Sequence, residues 1–237
     1  MNGSAVALAA AAGGLLSLER KTIGQLMLSR PIVVAPIVAS ILGDAGTGFA
    51  LGVPLELVFL GTSSFGASTP YHETLAALFA ASFAVASPAL HLGGALHSVP
   101  VLPIAFFLSL PFALLGRWFE AGMERWNVGL VDRAEEILAS GHPGLATRQA
   151  YFGLLGMFVM GAAVVSLGTL LGSAAGDWDE NLPHWLERGL QLAWPLALGT
   201  SAALAIRAIK TRRSAWLSGI AAVSVFVVFA LTNYFDR

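Results

Sequence analysis

Apolar residues run through this chain in long blocks with the polar residues gathered between them, and the blocks between residues 29 and 77 are repeatedly interrupted. The pattern predicts a first span over residues 4–18, closed by Glu19, Arg20 and Lys21, with Arg30 a little further on. Two shorter blocks follow at 31–43 and 47–62, separated by Gly43-Asp44-Ala45-Gly46 and broken by Pro31, Pro36 and Pro54. Each is short for an independent crossing, so a re-entrant hairpin and a pair of thin spans both fit. Longer blocks at 74–92 and 98–116 flank a glycine-rich turn from His91 to His97. From Arg117 to Arg148 charged residues alternate with Trp118, Phe119, Met123, Trp126, Leu130 and Ile137 at helical spacing, which predicts an amphipathic helix lying at the membrane surface. Spans at 149–173, 190–209 and 214–235 complete the chain, the first two separated by the acidic, Trp-bearing loop Asp177–Trp185.

Composition fixes the class. Hydrophobic residues make up 56% of the 237 positions and charged ones 11%, so the chain reads as an all-α polytopic membrane protein. Its length holds roughly seven or eight spanning or re-entrant helices of about 20 residues each. It reads as one integral membrane domain over residues 1–237. No basic residue precedes the first apolar block, so that block is expected to stay as a mature span and not to act as a secretory signal. The net charge of -1 argues against a nucleic-acid partner. Without cysteine there is no disulfide framework, thiolate metal site or thiol nucleophile. No phosphate-binding loop, Ser/His/Asp arrangement or HExxH pattern appears, so no catalytic residue, metal or cofactor is expected, and the chain is read as a non-enzyme. Arginine and lysine cluster at 20–30, 117–148 and 207–213, which places those segments in the cytoplasm and the acidic loop outside.

Irregular backbone at membrane depth is tolerated only where protein covers it or a solvated cavity takes it up, so the interrupted region, residues 20–80, is the candidate transport site. Glu56 lies inside an apolar block, where a charge costs on the order of 3 kcal/mol. A buried neutral acid or a helix cap is its plainer reading. Asp44 is expected to cap the half-helix that follows it. Thr62, Ser63 and Ser64 offer hydroxyls that suit a polyol or bond back to helix carbonyls. His91, His97, His142 and His184 stand outside any ligand spacing.

The run Ser29-Arg30-Pro31-Ile32-Val33, then Leu42-Gly43-Asp44 with Thr47-Gly48, Leu55-Glu56-Leu57, Leu60-Gly61, Gly66-Ala67, and Pro70 with Glu73 and Leu75-Ala76-Ala77 resembles the membrane subunit IIC of the mannose/fructose/sorbose family of the bacterial phosphotransferase system. The match is best over residues 20–80 and weaker through the amphipathic region and final spans. The resemblance implies a subunit of the bacterial cytoplasmic membrane that carries a sugar inward beside a second membrane subunit, IID. Soluble IIA and IIB proteins then phosphorylate the sugar as it arrives; self-association is a further option. It places Glu56 on the family's glutamate, and sets Ser64, Tyr71, His72 and Glu73 as substrate-binding candidates. Here the chain departs from the family: His72 stands where an aspartate is usual. A neutral imidazole offers one acceptor where a carboxylate offers two oxygens, and Tyr71 would stack on a sugar ring or plug the site. An orphan scaffold or sensor that has kept the fold is therefore the rival reading, and which sugar is carried stays open.

Overall fold

The computed structural model describes residues 2–21, 24–62, 70–88, 101–175, 183–209, 211 and 213–235. Among them the regular structure is helical throughout: α1 (Gly3–Glu19), α2 (Pro31–Leu42), α3 (Ala45–Phe59) with a 3-10 turn at Leu60–Thr62, α4 (Glu73–Ala86), α5 (Val101–Ala139), α6 (Pro143–Ala174), α7 (His184–Ala208) and α8 (Ser214–Phe235). Ser64, the His91–His97 turn and most of the acidic loop fall outside the described residues.

The bundle is organised around α4, whose residues from Thr74 to Ala86 are all buried. A helix apolar on every side belongs in the interior, and this one carries alanine at 76, 77, 80, 81, 84 and 86, which lets its neighbours come close. The hairpin α2–α3 packs on one side and α5 and α6 on the other; α1 lies along α6, and the pair α7–α8 leans on α3. Phe79 locks α4 to α5 by stacking on Phe112 with centroids 4.0 Å apart. At 14 residues α4 is about 21 Å long, short of a bilayer core of about 30 Å. The expected span to residue 92 ends early because Ser87 is extended, with Pro88 next in the chain. A residue before proline is pushed out of the helical region.

The two interrupted blocks form a tight antiparallel hairpin of short helices. Neither Pro36 nor Pro54 breaks its helix; both sit buried inside it, so packing offsets the hydrogen bond each one forfeits. The break falls between the helices, where Gly43 ends α2 with φ 113° and its N–H bonds back to Ala39 and Ser40. Asp44 then caps α3 as the sequence predicts, with Oδ1 accepting from the Thr47 N–H at 3.2 Å and Oδ2 from the Thr47 hydroxyl at 2.6 Å. A side chain at Gly48 would stand 2.6 Å from the Pro36 backbone, so the hairpin closes only because that position is bare. With α2 only 12 residues long, about 18 Å, the hairpin has the dimensions of a re-entrant element more than of two crossings.

Among the described residues three helices are long and apolar enough to cross a membrane: α5, α6 and α7. The amphipathic stretch is not a separate element laid on the surface. Residues 117–139 continue the span at 101–116 as one 39-residue helix, and 143–148 are the first turns of α6. Nothing between Leu115 and Ala139 stops a helix; the turn waits for Gly141, at φ 83°. At about 58 Å, α5 exceeds the bilayer core by nearly half its length, and Glu120, Met123 and Leu130 mark the buried stripe of its extension.

Candidate functional site

The end of α1, the loop 24–30, and the first residues of α2 and α4 converge on one polar region. The loop is held from two sides. The Glu19 carboxylate accepts from the Ser29 N–H at 2.8 Å, and the Thr74 hydroxyl donates to the Ser29 carbonyl at 2.9 Å. Ahead of Ser29 the backbone takes left-handed conformations at Gly24 (φ 82°), Gln25 (φ 49°) and Met27 (φ 63°). Two non-glycine residues in that region within three positions are uncommon and persist only when the surroundings fix them.

Under the loop lies a cavity of about 350 Å³ lined by Glu19, Arg20, Gln25, Ser29, Arg30 and Glu73, together with Met27. Its size falls in the range of small-molecule sites, roughly 300–1,000 Å³. Arg30, the residue before α2, donates from Nη1 to Glu56 Oε1 of α3 at 3.2 Å, a partly buried pair that ties the hairpin to the rim. Glu73 opens α4, where the positive end of the helix dipole favours a carboxylate. Three buried polar atoms here have no hydrogen-bond partner: Glu19 Oε1, Arg20 Nη1 and Glu56 Oε2. Buried polar atoms are nearly always satisfied in native proteins; of these three, Arg20 Nη1 has the Glu120 carboxylate 3.9 Å away.

Arg20 joins this region to α5. Its Nη2 donates to the Tyr71 carbonyl at 3.0 Å, and Nη1 lies 3.9 Å from Glu120 Oε2. Lys21 reaches Glu120 at 3.2 Å and Glu124 at 2.9 Å. The Arg117 guanidinium sits 5.7 Å from the centre of the Tyr71 ring. His72 is fully buried; its N–H donates to the Ala113 carbonyl at 3.0 Å, and neither ring nitrogen has a partner. The imidazole rests on Gly116, where a side chain would come within 2.5 Å of the His72 Cβ. No group of three or more metal-ligating side chains occurs among the described residues.

The family model for the sorbose-specific IIC component of the phosphotransferase system matches residues 4–234. The chain belongs to that family. A 58-residue stretch is 33% identical to "Putative N-acetylgalactosamine permease IIC component 2" of Escherichia coli (strain K12), covering 24% of this chain and 44% of that relative's length. The whole chain also superposes on two solved structures at 16% identity. One, described only as a membrane protein, gives a TM-score of 0.65 and is covered over 97% of its length. The other, a chain of the cryoEM structure of mannose transporter ManYZ with microcin E492 (MceA), gives 0.62 and is covered over 96%. At that identity the superpositions speak for the fold. The protein is a multi-pass membrane component of the IIC type, with several long apolar helices.

Of the residues singled out in this IIC chain, Glu73 alone lines the cavity directly. Glu56 stands behind it through Arg30, Tyr71 is held by its carbonyl on Arg20, and His72 is turned into the bundle against Gly116. Ser64 lies outside the described residues. By sequence, Arg20 and Lys21 carry weight only as topology signals, Arg30 as one of these and as part of the motif at 29–33, and Glu19 and Glu120 do not stand out as site residues. The available clue is that Glu19 and Arg20 abut an apolar span directly, which draws charged side chains into the helix-end packing instead of leaving them in water.

Proposed function

We propose that this IIC subunit carries a sugar inward across the bacterial cytoplasmic membrane, as a single membrane domain working with a IID subunit, and presents it to a IIB protein charged by IIA. Glu73, Glu56 with Arg30, and the segment Pro70–Glu73 form the described part of the sugar site; Ser64, which lies outside the described residues, is proposed with them from the sequence. The observation that carries this reading is the cavity at the start of α4, walled by charged groups whose buried polar atoms lack partners. Hydroxyls of a sugar both donate and accept, so they satisfy carboxylates and guanidiniums together. N-acetylgalactosamine, named for the curated relative, joins mannose, fructose and sorbose as the first sugars to try.

The scaffold or sensor reading draws on one observation. His72 occupies the family's aspartate position and faces away from the cavity, which removes an acceptor from the site. Uptake separates the two. Cells without a mannose-type system of their own, supplied with this chain and its IIA, IIB and IID partners, should accumulate phosphorylated sugar for at least one member of that panel. Accumulation of none, with all four proteins present in the cells, rejects the transporter reading in favour of the scaffold.

A further inference from the structure

A second cavity, sharing no residue with the first, lies between the extension of α5 beyond residue 116 and the first half of α6, and opens beside Lys21 at the end of α1. We infer that it binds a membrane phospholipid whose headgroup carries both a phosphate and a primary ammonium, with Lys21 facing the phosphate and Glu124 the ammonium.

The cavity measures about 350 Å³, within the range of small-molecule sites, roughly 300–1,000 Å³. Met123, Leu130 and Met157 line it and are buried, whereas Glu124 and Asn127 line it and are exposed. Its floor is thus apolar and its rim polar. On one wall α5 is already charged, from Arg117 on, while on the other α6 is apolar from Ala150. The cavity therefore spans the height at which bilayer gives way to water, where an amphiphile sets its apolar part against the floor and its charges at the rim.

Lys21 Nζ lies 2.9 Å from Glu124 Oε1 and 3.2 Å from Glu120 Oε1. Glu120 is buried and has Arg20 3.9 Å from its other oxygen, so two cations face it and its charge is matched within the protein. What the rim offers is one cation and one anion side by side, Lys21 at 40% exposure and Glu124 at 58%. Lys21 has three N–H groups for two carboxylates, and the pair does not use Oε2 of Glu124. A zwitterionic headgroup laid antiparallel to this pair meets opposite charge at both ends. A singly anionic headgroup brings a like charge to Glu124. Between zwitterions, a primary ammonium donates charge-assisted hydrogen bonds to a carboxylate, whereas a trimethylated one has no N–H and is held by aromatic faces. No aromatic side chain stands among the described lining residues, which selects the primary amine. The floor in turn selects the lipid over its free headgroup, because only the lipid has hydrocarbon to bury there.

The complex drawn from native membranes by a tag on this chain, then stripped of lipid in detergent, provides the test. It is titrated with phosphatidylethanolamine, phosphatidylcholine and phosphatidylglycerol of one acyl composition, and with glycerophosphoethanolamine, and bound molecules are counted by native mass spectrometry. The wild type should bind phosphatidylethanolamine at least about threefold more tightly than the other two lipids, and glycerophosphoethanolamine far more weakly. Glu124→Gln removes the charge that holds the ammonium and should abolish the preference over phosphatidylcholine. Ala150→Trp fills the cavity from an exposed lining position and should weaken phosphatidylethanolamine at least about threefold. Glu136→Gln, exposed on α5 away from the cavity, should change nothing. Three lipids held alike by the wild type, a preference that survives Glu124→Gln, or binding that Ala150→Trp leaves unchanged overturns the inference. Glycerophosphoethanolamine bound as tightly as the lipid overturns it in favour of a soluble amine. None of these outcomes touches the sugar reading, which concerns the other cavity.

Discussion

Arg30 and Glu56 meet across the α2–α3 hairpin at 3.2 Å, joining the residue that opens one helix to an acid in the last turn of the next. The glutamate that sequence marks as a charge inside an apolar block is thus a paired charge, and its partner lines the cavity. The pair is partly exposed, at 31% and 16%, so its own contribution to stability is modest, on the order of 1 kcal/mol.

Its effect on transport should be larger. Glu56→Gln leaves Arg30 without its charge-assisted acceptor and frees it to compete for the cavity carboxylates, so uptake should fall at least about tenfold with expression unchanged. Arg30→Gln should do the same. The double variant should lose less than the sum of the singles, since neither side chain is then left uncompensated. Strict additivity in a double-mutant cycle would show that the two act independently.

Gly116 governs the setting of His72. Gly116→Val would drive a branched side chain into the His72 Cβ and the Leu75 side chain and should cost about 1–3 kcal/mol. A lowered melting temperature of the purified protein checks it, with Gly122→Ala as the contrast, since a side chain at Gly122 meets nothing within 4 Å.

Topology follows from the three basic clusters. Reporters placed after Arg213 or within residues 125–140 should report cytoplasm, and one within 177–186 the exterior. The opposite assignment would invert the cavity and remove its access to a cytoplasmic phosphate donor.

The apolar groove between α5 and α6 is about 730 Å³ and lined by Phe119, Trp126, Phe152, Val159 and Leu167 among others, so it is the place to test for contact with the proposed IID partner. A tagged chain drawn from native membranes should bring IID with it. Gly122→Trp fills this groove from a position with free space and should reduce the recovered IID severalfold. Undiminished recovery would place the contact elsewhere.

How much of the fold and the site is legible in the sequence depends on which physical signal each feature carries. Helix positions follow from apolar block length, and the Asp44 cap from residue type ahead of a helix start. The joining of 101–116 to 117–139 is hidden because a change of composition looks like a boundary, whereas a helix ends only where backbone stops it, here near Gly141. Pro36 and Pro54 look like breaks because a proline's cost is local and visible, while the packing that absorbs it is not. Glu73 is legible from its place in the motif. The placement of Glu19 and Arg20 is not, because it comes from the return of the chain at Ser29 and from α5, a contact 100 residues away in sequence between Arg20 and Glu120.

The absence of native cysteine gives the most direct test of where the sugar sits. Gln25→Cys puts a single thiol at the rim of the cavity, to be labelled with a membrane-impermeant maleimide in inside-out vesicles that retain IID. Labelling should be rapid there, slow in right-side-out vesicles, and suppressed by the sugar that supports uptake. Labelling from the outer face alone, or labelling in inside-out vesicles that the transported sugar leaves unchanged, would contradict a cytoplasm-facing sugar site between α1, α2 and α4.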